Sequence, residues 1–358
     1  MEQVAKRLGI YDKMEQVGLD APQEILTRSV ADLQKVLNIN ESKAHELLNA
    51  ASADVFPWSA RQQTALDLST VEGQFLTTND PSLDKVLGGG IHIGTVTEVV
   101  GESSSGKTQL CLQLCLTAQK PIDQSGLGGT AVYLHSEGHF PIVRLEQLVD
   151  VYASKFKLDR GAMKRSIHTM KIIDSEQQYR LVAYQLPAFL ERYTRVRLVV
   201  IDSIGASYRG EPSTSNDKRR FDRMTEICDI GARLKKIAQK YRVAVVVVNQ
   251  VSDVPSSNND ALPMDHVDPW MDFAIASEPL QEQSPSLGLF IQSLIKKPIL
   301  GLAWSNAVTT RIRLARSPMS EGIRTRRVLF VEFCPFAARN GLEIQIDERG
   351  VHKLRGRD

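Results

Sequence analysis

The sequence predicts an α/β fold built on a mostly parallel, twisted β-sheet, preceded by a small helical domain. Three observations carry that prediction. Short apolar runs rich in β-branched residues alternate with segments of helical period. Two of those runs, Arg197–Ile201 and Val243–Val248, are nearly continuous in apolar residues, as expected of parallel strands covered on both faces. A glycine-rich loop between Gly101 and Thr108 joins the end of one run to the start of a helix.

Residues 1–50 read as short helices. Val30–Leu37 has helical apolar spacing, and Asn40–Leu48 follows after a brief break, with Asn40 placed to cap it. Two short helices joined by a tight turn suit either a helix-hairpin-helix-like module or an ordinary helical packing domain. Residues 51–77 have weak periodicity and contain Pro57 and Gly73, so they read as a linker. The large domain then spans 78–358. Its first strand runs over Thr95–Val100, followed by a helix over Lys107–Gln119 that Pro121 stops. Further strands are expected at Thr130–Leu134, Arg197–Ile201 and Val243–Val248. A helix over Phe221–Tyr241 places Met224, Ile227, Leu234 and Ile237 on one face.

At 358 residues the chain can bury one large core or two smaller ones. Hydrophobic content of 42% and charged content of 24% are ordinary for globular proteins. No apolar run reaches the roughly 18 residues of a membrane span, and the first residues carry no secretory h-region. Cys111, Cys115, Cys228 and Cys334 lack zinc-ribbon or disulfide-framework spacing, which predicts free thiols in a reducing compartment, with Cys111 and Cys115 packed in a core. A soluble intracellular protein is expected. The net charge of +2 says little about nucleic acid, but its distribution is uneven. Lys218, Arg219, Arg220 and Arg223 form one basic cluster. Arg311, Arg313 and Arg316 with Arg324, Arg326 and Arg327 form another. Between them, residues 251–295 hold Asp253, Asp260, Asp265, Asp268, Asp272, Glu278 and Glu282 and no Lys or Arg.

The loop Gly101, Glu102, Ser103, Ser104, Ser105, Gly106, Lys107, Thr108 matches the Walker A pattern in full, after a strand and before a helix. Gly101 and Gly106 let backbone N–H groups curl around phosphate oxygens, and the helix N-terminus favours negative charge. Lys107 is expected to clamp the β- and γ-phosphates of ATP, and Thr108 to ligate Mg²⁺. Three more polar residues end apolar strands, where open α/β sheets gather their ligand-binding groups. Asp202 fits Walker B and the Mg²⁺ shell. Glu137 can polarise the attacking water as general base, and Gln250 can sense the γ-phosphate through its amide. His135 and His139 flank Glu137 but lack the helix and internal Glu of a zincin, so they are assigned no metal.

At these residues the chain resembles the eukaryotic branch of the RecA family. Gly89–Glu98 leading into Gly101–Gln109, Tyr133–Gly138, Leu198–Ser203 and Asn249–Val251 are similar to its core motifs, as are Lys296–Ile299 and Thr309–Arg311. Ile39–Ala44 resembles its helix-hairpin-helix module, with Asn38 where glycine is usual; Asn tolerates the left-handed region. Gly126–Gly129, Phe140–Leu145 and Gly301–Asn306 look closer to a recombinase paralogue than to the strand-exchange recombinase. They resemble the branch of the fungal mediator-heterodimer subunit and the vertebrate third X-ray repair cross-complementing protein.

The resemblance implies a RecA-type ATPase core, ATP and Mg²⁺ as cofactors, and weak DNA-dependent ATPase activity. It implies a nuclear DNA-repair role as a recombination mediator, paired in a heterodimer with another paralogue. That pair would stabilise the strand-exchange recombinase filament on single-stranded DNA. It also implies that Gln109 joins the nucleotide loop, that Arg144 packs on adenine, and that Pro298 caps the nucleotide of an adjacent subunit. Leu294 stands where the recombinase has a cap aspartate, and Gln62–Ala65 lacks the aromatic of the subunit-linking Phe-x-x-Ala motif. Both departures argue against a long homopolymer. The family's first DNA loop would span about Arg209–Phe221, where Arg209, Lys218, Arg219 and Arg220 suit phosphate contacts. The second would lie within Val251–Ile295, whose carboxylates oppose a phosphate backbone; Trp270 and Phe273 there suit either base stacking or partner docking. A strand-exchange enzyme and a nucleotide-bound scaffold stand as the rival readings.

Overall fold

The computed structural model describes residues 1–19, 21–56, 65, 74–208, 217–252, 290–318 and 325–354. The chain forms two compact units, Met1–Glu72 and Gly73–Asp358.

The described residues of the first unit form the helices α1 (Glu2–Arg7), α2 (Tyr11–Gln16), α3 (Pro22–Leu26), α4 (Val30–Leu37) and α5 (Glu41–Val55). Their core includes Met14, Ile25, Leu33, Leu37 and Leu47. Ser29 and Asp32 form a reciprocal capping box at the start of α4. Asn38 then turns the chain in the left-handed region, at φ 51° and ψ 57°, a conformation whose cost Asn bears better than most residues. Asn40 caps α5 by accepting the Lys43 backbone N–H at 2.9 Å. That helix continues to Val55, into the stretch expected to be linker, because Ala51 belongs to the buried core.

The second unit opens with β1 (Phe75–Leu76), α6 (Pro81–Val86) and β2 (Ile91–His92), then β3 (Val96–Gly101), α7 (Lys107–Thr117) and β4 (Thr130–His135). Next come α8 (Ile142–Phe156), α9 (Arg160–Arg165), β5 (Ile167–Lys171), α10 (Ser175–Arg180), α11 (Leu186–Arg192) and β6 (Val196–Asp202). After these lie α12 (Asp217–Tyr241), β7 (Ala244–Ser252), α13 (Ile291–Leu294), β8 (Lys297–Pro298) and α14 (Gly301–Ser305). The C-terminal strands are β9 (Thr310–Arg316), β10 (Arg327–Phe333), β11 (Asn340–Asp347) and β12 (Gly350–Lys353).

The main sheet has the order β12-β11-β10-β9-β3-β7-β6-β4-β5, with β8 pairing β7. From β9 to β5 every pair is parallel, whereas β9 through β12 form an antiparallel meander. Strand β3 and the first residues of β7 are buried on both faces, which explains their unbroken apolar runs. One face packs Leu110, Cys111, Leu114 and Cys115 of α7 with Leu145, Leu148 and Phe156 of α8. The other packs Leu186 and Leu190 of α11, Ile230, Leu234 and Ile237 of α12, and Trp304 of α14. Cys111 and Cys115 are free and fully buried.

Met224 departs from the expected apolar face of α12. It is 53% exposed, and burial begins only at Ile227, where the helix reaches the core packed on the sheet. Of the second basic cluster, Arg311, Arg313, Arg316 and Arg326 are each set against a carboxylate and do not form an open basic surface, while Arg324 lies outside the described residues. Arg311 donates from Nε to Glu98 at 2.6 Å, and Arg313 bonds Glu332. Arg316 lies 3.4 Å from Glu102, and Arg326 grips both oxygens of Glu343 at 2.7 and 2.8 Å. Glu98 is completely buried and also accepts from Asn249 Nδ2 at 2.9 Å. Burial pushes its carboxyl upward, opposed by the Arg311 charge. Among the described residues no helix is long and apolar enough to cross a membrane.

Candidate nucleotide site

Sheet register brings the site together. Gly101, the last residue of β3, pairs with Gln250 on β7, and His135 of β4 pairs with Asp202 of β6. Glu137 stands two residues past β4, so these groups converge at the carboxyl ends of the parallel strands, beside the loop that leads into α7. That loop is tightly enclosed. A side chain at Gly101 would stand 2.3 Å from Leu314 O, and one at Gly106, at φ 112°, would stand 2.5 Å from Ile346 Cδ1. Only glycine fits either position. Ser104 also takes a left-handed conformation, at φ 62°.

A cavity of about 540 Å³ opens above the loop. Of the sequence-predicted residues it is lined by Ser103, Ser104, Gly106, Lys107, Thr108, Gln109, Glu137, Arg144, Asp202 and Gln250. Gly101 and Ser105 are buried beneath it. Glu102 turns away, its carboxylate 2.6 Å from Lys296 and 3.4 Å from Arg316, because those cations stand on the opposite side of the loop. Pro298 does not line the cavity; it sits in β8, paired with Val251. Leu294, at the cap-aspartate position, is buried against Phe290 and Phe330. Arg209 lies outside the described residues. So do the side chains of Lys218, Arg219 and Arg220, whose backbone forms the first turn of α12, and the acidic stretch from Asp253 to Glu282.

The polar contacts inside the cavity are specific. Lys107 is 8% exposed and donates from Nζ to the carbonyls of Gly101 at 2.8 Å and Glu102 at 2.6 Å. Thr108 donates from Oγ1 to Asp202 Oδ2 at 2.8 Å. Gln250 donates from Nε2 to both oxygens of Glu137, at 2.9 and 3.0 Å. Arg144 donates from Nε to Gln109 Oε1 at 2.7 Å and from Nη2 to the carbonyl of Asp347.

Sequence reasoning missed four residues here. Arg327, Ile346 and Asp347 line the cavity from β10 and β11, and Tyr133 lies under its floor, donating to Asp202 Oδ2 at 2.6 Å. Arg327 stood in the basic run around residue 326, but nothing local tied that run to the loop; its guanidinium now reaches the carbonyl of Ser104 at 3.4 Å. Tyr133 was visible only as a member of a strand motif. Burial, with Asp202 alongside, pushes its hydroxyl well above the ordinary tyrosine range, so it stays a donor.

These groups suit a nucleoside triphosphate with a divalent cation. The loop is a cradle that side chains would fill, Lys107 and Arg327 supply positive charge, and the N-terminus of α7 adds backbone donors. Asp202 and the Thr108 hydroxyl, bonded to each other, are hard oxygen donors of the kind that could hold a small cation. At the other end, the planar Arg144 guanidinium, held on two sides, offers a flat face for a base.

The sequence profile of the Rad51 family matches residues 72–276, more than half of the chain. The chain belongs to the Rad51 family. Among its relatives, the DNA repair protein rhp57 of Schizosaccharomyces pombe is 29% identical, covering 92% of each chain. The DNA repair protein RAD57 of Saccharomyces cerevisiae is 30% identical over 77% of this chain and 78% of its own. The DNA repair protein XRCC3 of Mus musculus is 31% identical over 89% of each. All three fall in the paralogue branch that Gly126–Gly129, Phe140–Leu145 and Gly301–Asn306 resemble. The RecA-type core with its mostly parallel sheet is therefore shared with the Rad51 family.

Proposed function

We propose that this Rad51-family chain is an ATP-binding DNA-repair protein of the paralogue type. In this reading it acts as a recombination mediator in the nucleus, assembling with a second paralogue to promote or stabilise recombinase filaments on single-stranded DNA. The observation that carries the nucleotide part is the bond from Thr108 to Asp202 at the mouth of a complete Walker A loop. The relatives named as DNA repair proteins, matched along most of their length, support the pathway.

The loop amides and Lys107 would bind the phosphates, Thr108 and Asp202 would hold Mg²⁺, and Arg144 with Gln109 would orient the base. Bound Mg²⁺ would neutralise charge on the phosphate oxygens. Glu137 accepts the proton of the attacking water, and Gln250 connects it to the γ-phosphate. Pro298, outside this chain's own cavity, fits a role toward an adjacent subunit's nucleotide. Arg209, Lys218, Arg219 and Arg220 contact DNA phosphates. A nucleotide-bound scaffold with negligible hydrolysis is favoured by one specific contact: Gln250 Nε2 already occupies both oxygens of Glu137. Co-purification with candidate paralogues, followed by ATPase assays with and without single-stranded DNA, tests both readings. DNA-stimulated turnover of the pair supports the mediator enzyme. Tight ATP binding without turnover supports the scaffold, and no nucleotide binding removes the proposal.

A further inference from the structure

We infer that Tyr133 is a positioning residue for the cation-binding carboxylate: its hydroxyl commits one oxygen of Asp202 to the protein and leaves the other for the metal. The inference rests on the reading of Asp202 and Thr108 as the cation's ligands. Asp202 Oδ2 accepts two hydrogen bonds, from Thr108 Oγ1 at 2.8 Å and Tyr133 Oη at 2.6 Å. Among the described residues no donor reaches Oδ1, and the residue lines the cavity.

Three elements therefore meet on one oxygen. Tyr133 comes from β4, Asp202 ends β6, and Thr108 belongs to the first turn of α7. The phenol is 1% exposed, and its ring packs edge-on to Phe140 with centroids 5.2 Å apart. A buried phenol needs an acceptor. Here it takes the Walker B carboxylate at a distance typical of a charge-assisted O–H···O⁻ bond.

The two donors on Oδ2 are not equivalent once a cation is present. The Thr108 hydroxyl oxygen is itself assigned to the metal, so its geometry changes with loading. Tyr133 cannot reach the cavity from beneath the floor and has no second task, so its bond is the one that does not depend on the cation. It fixes the carboxylate rotamer before the metal arrives, and by occupying Oδ2 it prevents both oxygens from closing on the metal. Partners of this kind, bonded to a ligand and not to the metal, typically cost tenfold or more in metal affinity when removed.

The test is the ratio of ATP affinity in Mg²⁺ to ATP affinity in EDTA, measured on the full chain with its paralogue partner if needed. Tyr133→Phe keeps the ring and its packing and deletes only the hydroxyl. Both affinities come from one preparation, so an unfolded fraction cancels in the ratio. The expected result is a ratio about tenfold below wild type with the EDTA affinity unchanged. Electron paramagnetic resonance of Mn²⁺ on the nucleotide-loaded protein should show a matching loss of the bound signal. An unchanged ratio, or equal losses with and without Mg²⁺, overturns the inference and leaves Tyr133 as a packing residue. Asp202→Asn run in parallel separates the two levels of failure. If Asp202→Asn lowers the ratio and Tyr133→Phe does not, only the positioning role falls; if Asp202→Asn leaves it intact, the cation assignment falls and this inference with it.

Discussion

Lys107→Ala should reduce ATP affinity and also loosen the empty protein. From sequence alone Lys107 is a phosphate clamp with no place in the core. The structure shows its ammonium buried and bonded to two backbone carbonyls, those of Gly101 and Glu102. Deleting it leaves both acceptors without that donor. Each such bond is worth about 0.5–1.5 kcal/mol net where water from the cavity can substitute. The summed loss is about 1–3 kcal/mol, which lowers the melting temperature of a domain this large by several degrees. In the bound state a hydrogen bond to a charged group is worth about 1.5–3 kcal/mol. The phosphates must first draw Lys107 off its two carbonyls, so the net affinity loss should sit at the low end of that range, roughly tenfold. Titration with a fluorescent nucleotide reads the first effect, and a thermal melt without nucleotide reads the second. Unchanged affinity would remove Lys107 from the site. A normal melt beside lost affinity would show that the carbonyl contacts contribute nothing to the resting loop.

Three further outcomes are expected. Glu137→Gln should bind ATP normally but slow single-turnover hydrolysis; normal turnover would refute the general-base role. Glu98→Ala should destabilise the fold by about 3–5 kcal/mol, because it strands the Arg311 guanidinium in a buried site. Denaturant unfolding checks this, and a loss below about 1 kcal/mol would mean that Glu332 alone satisfies the arginine. Replacing Lys218, Arg219 and Arg220 with Ala should flatten the salt dependence of single-stranded DNA binding by about two units if all three touch phosphate. Replacing Asp260, Asp265 and Asp268 with Asn should leave affinity unchanged or slightly higher; a steep loss there, with none in the Ala variant, would place the DNA contacts on the other loop.

The features legible without a structure are those whose cause is local. Gly101 to Thr108 declares its chemistry because a phosphate loop needs those residue types in one short stretch. The strands that carry Gly101, Asp202 and Gln250 show themselves by apolar runs that only doubly covered strands tolerate. Asn38 and Asn40 mark the α4–α5 turn through their own backbone preferences and capping chemistry. Everything that depends on which strand lies beside which had to wait for the tertiary fold. The insertion of β9 next to β3 carries the C-terminal meander to the phosphate loop and delivers Arg327, Ile346 and Asp347 from more than 200 residues away in the chain. The same pairing buries Arg311 and Arg313 against Glu98 and Glu332, turning a basic run into an internal ion network. It also decides the fate of Glu102, drawn to Lys296 and Arg316 and away from the nucleotide cavity. Local propensity sets how each segment folds, but sheet order and register are chosen by contacts between distant segments, and no short window of sequence contains both partners of such a contact.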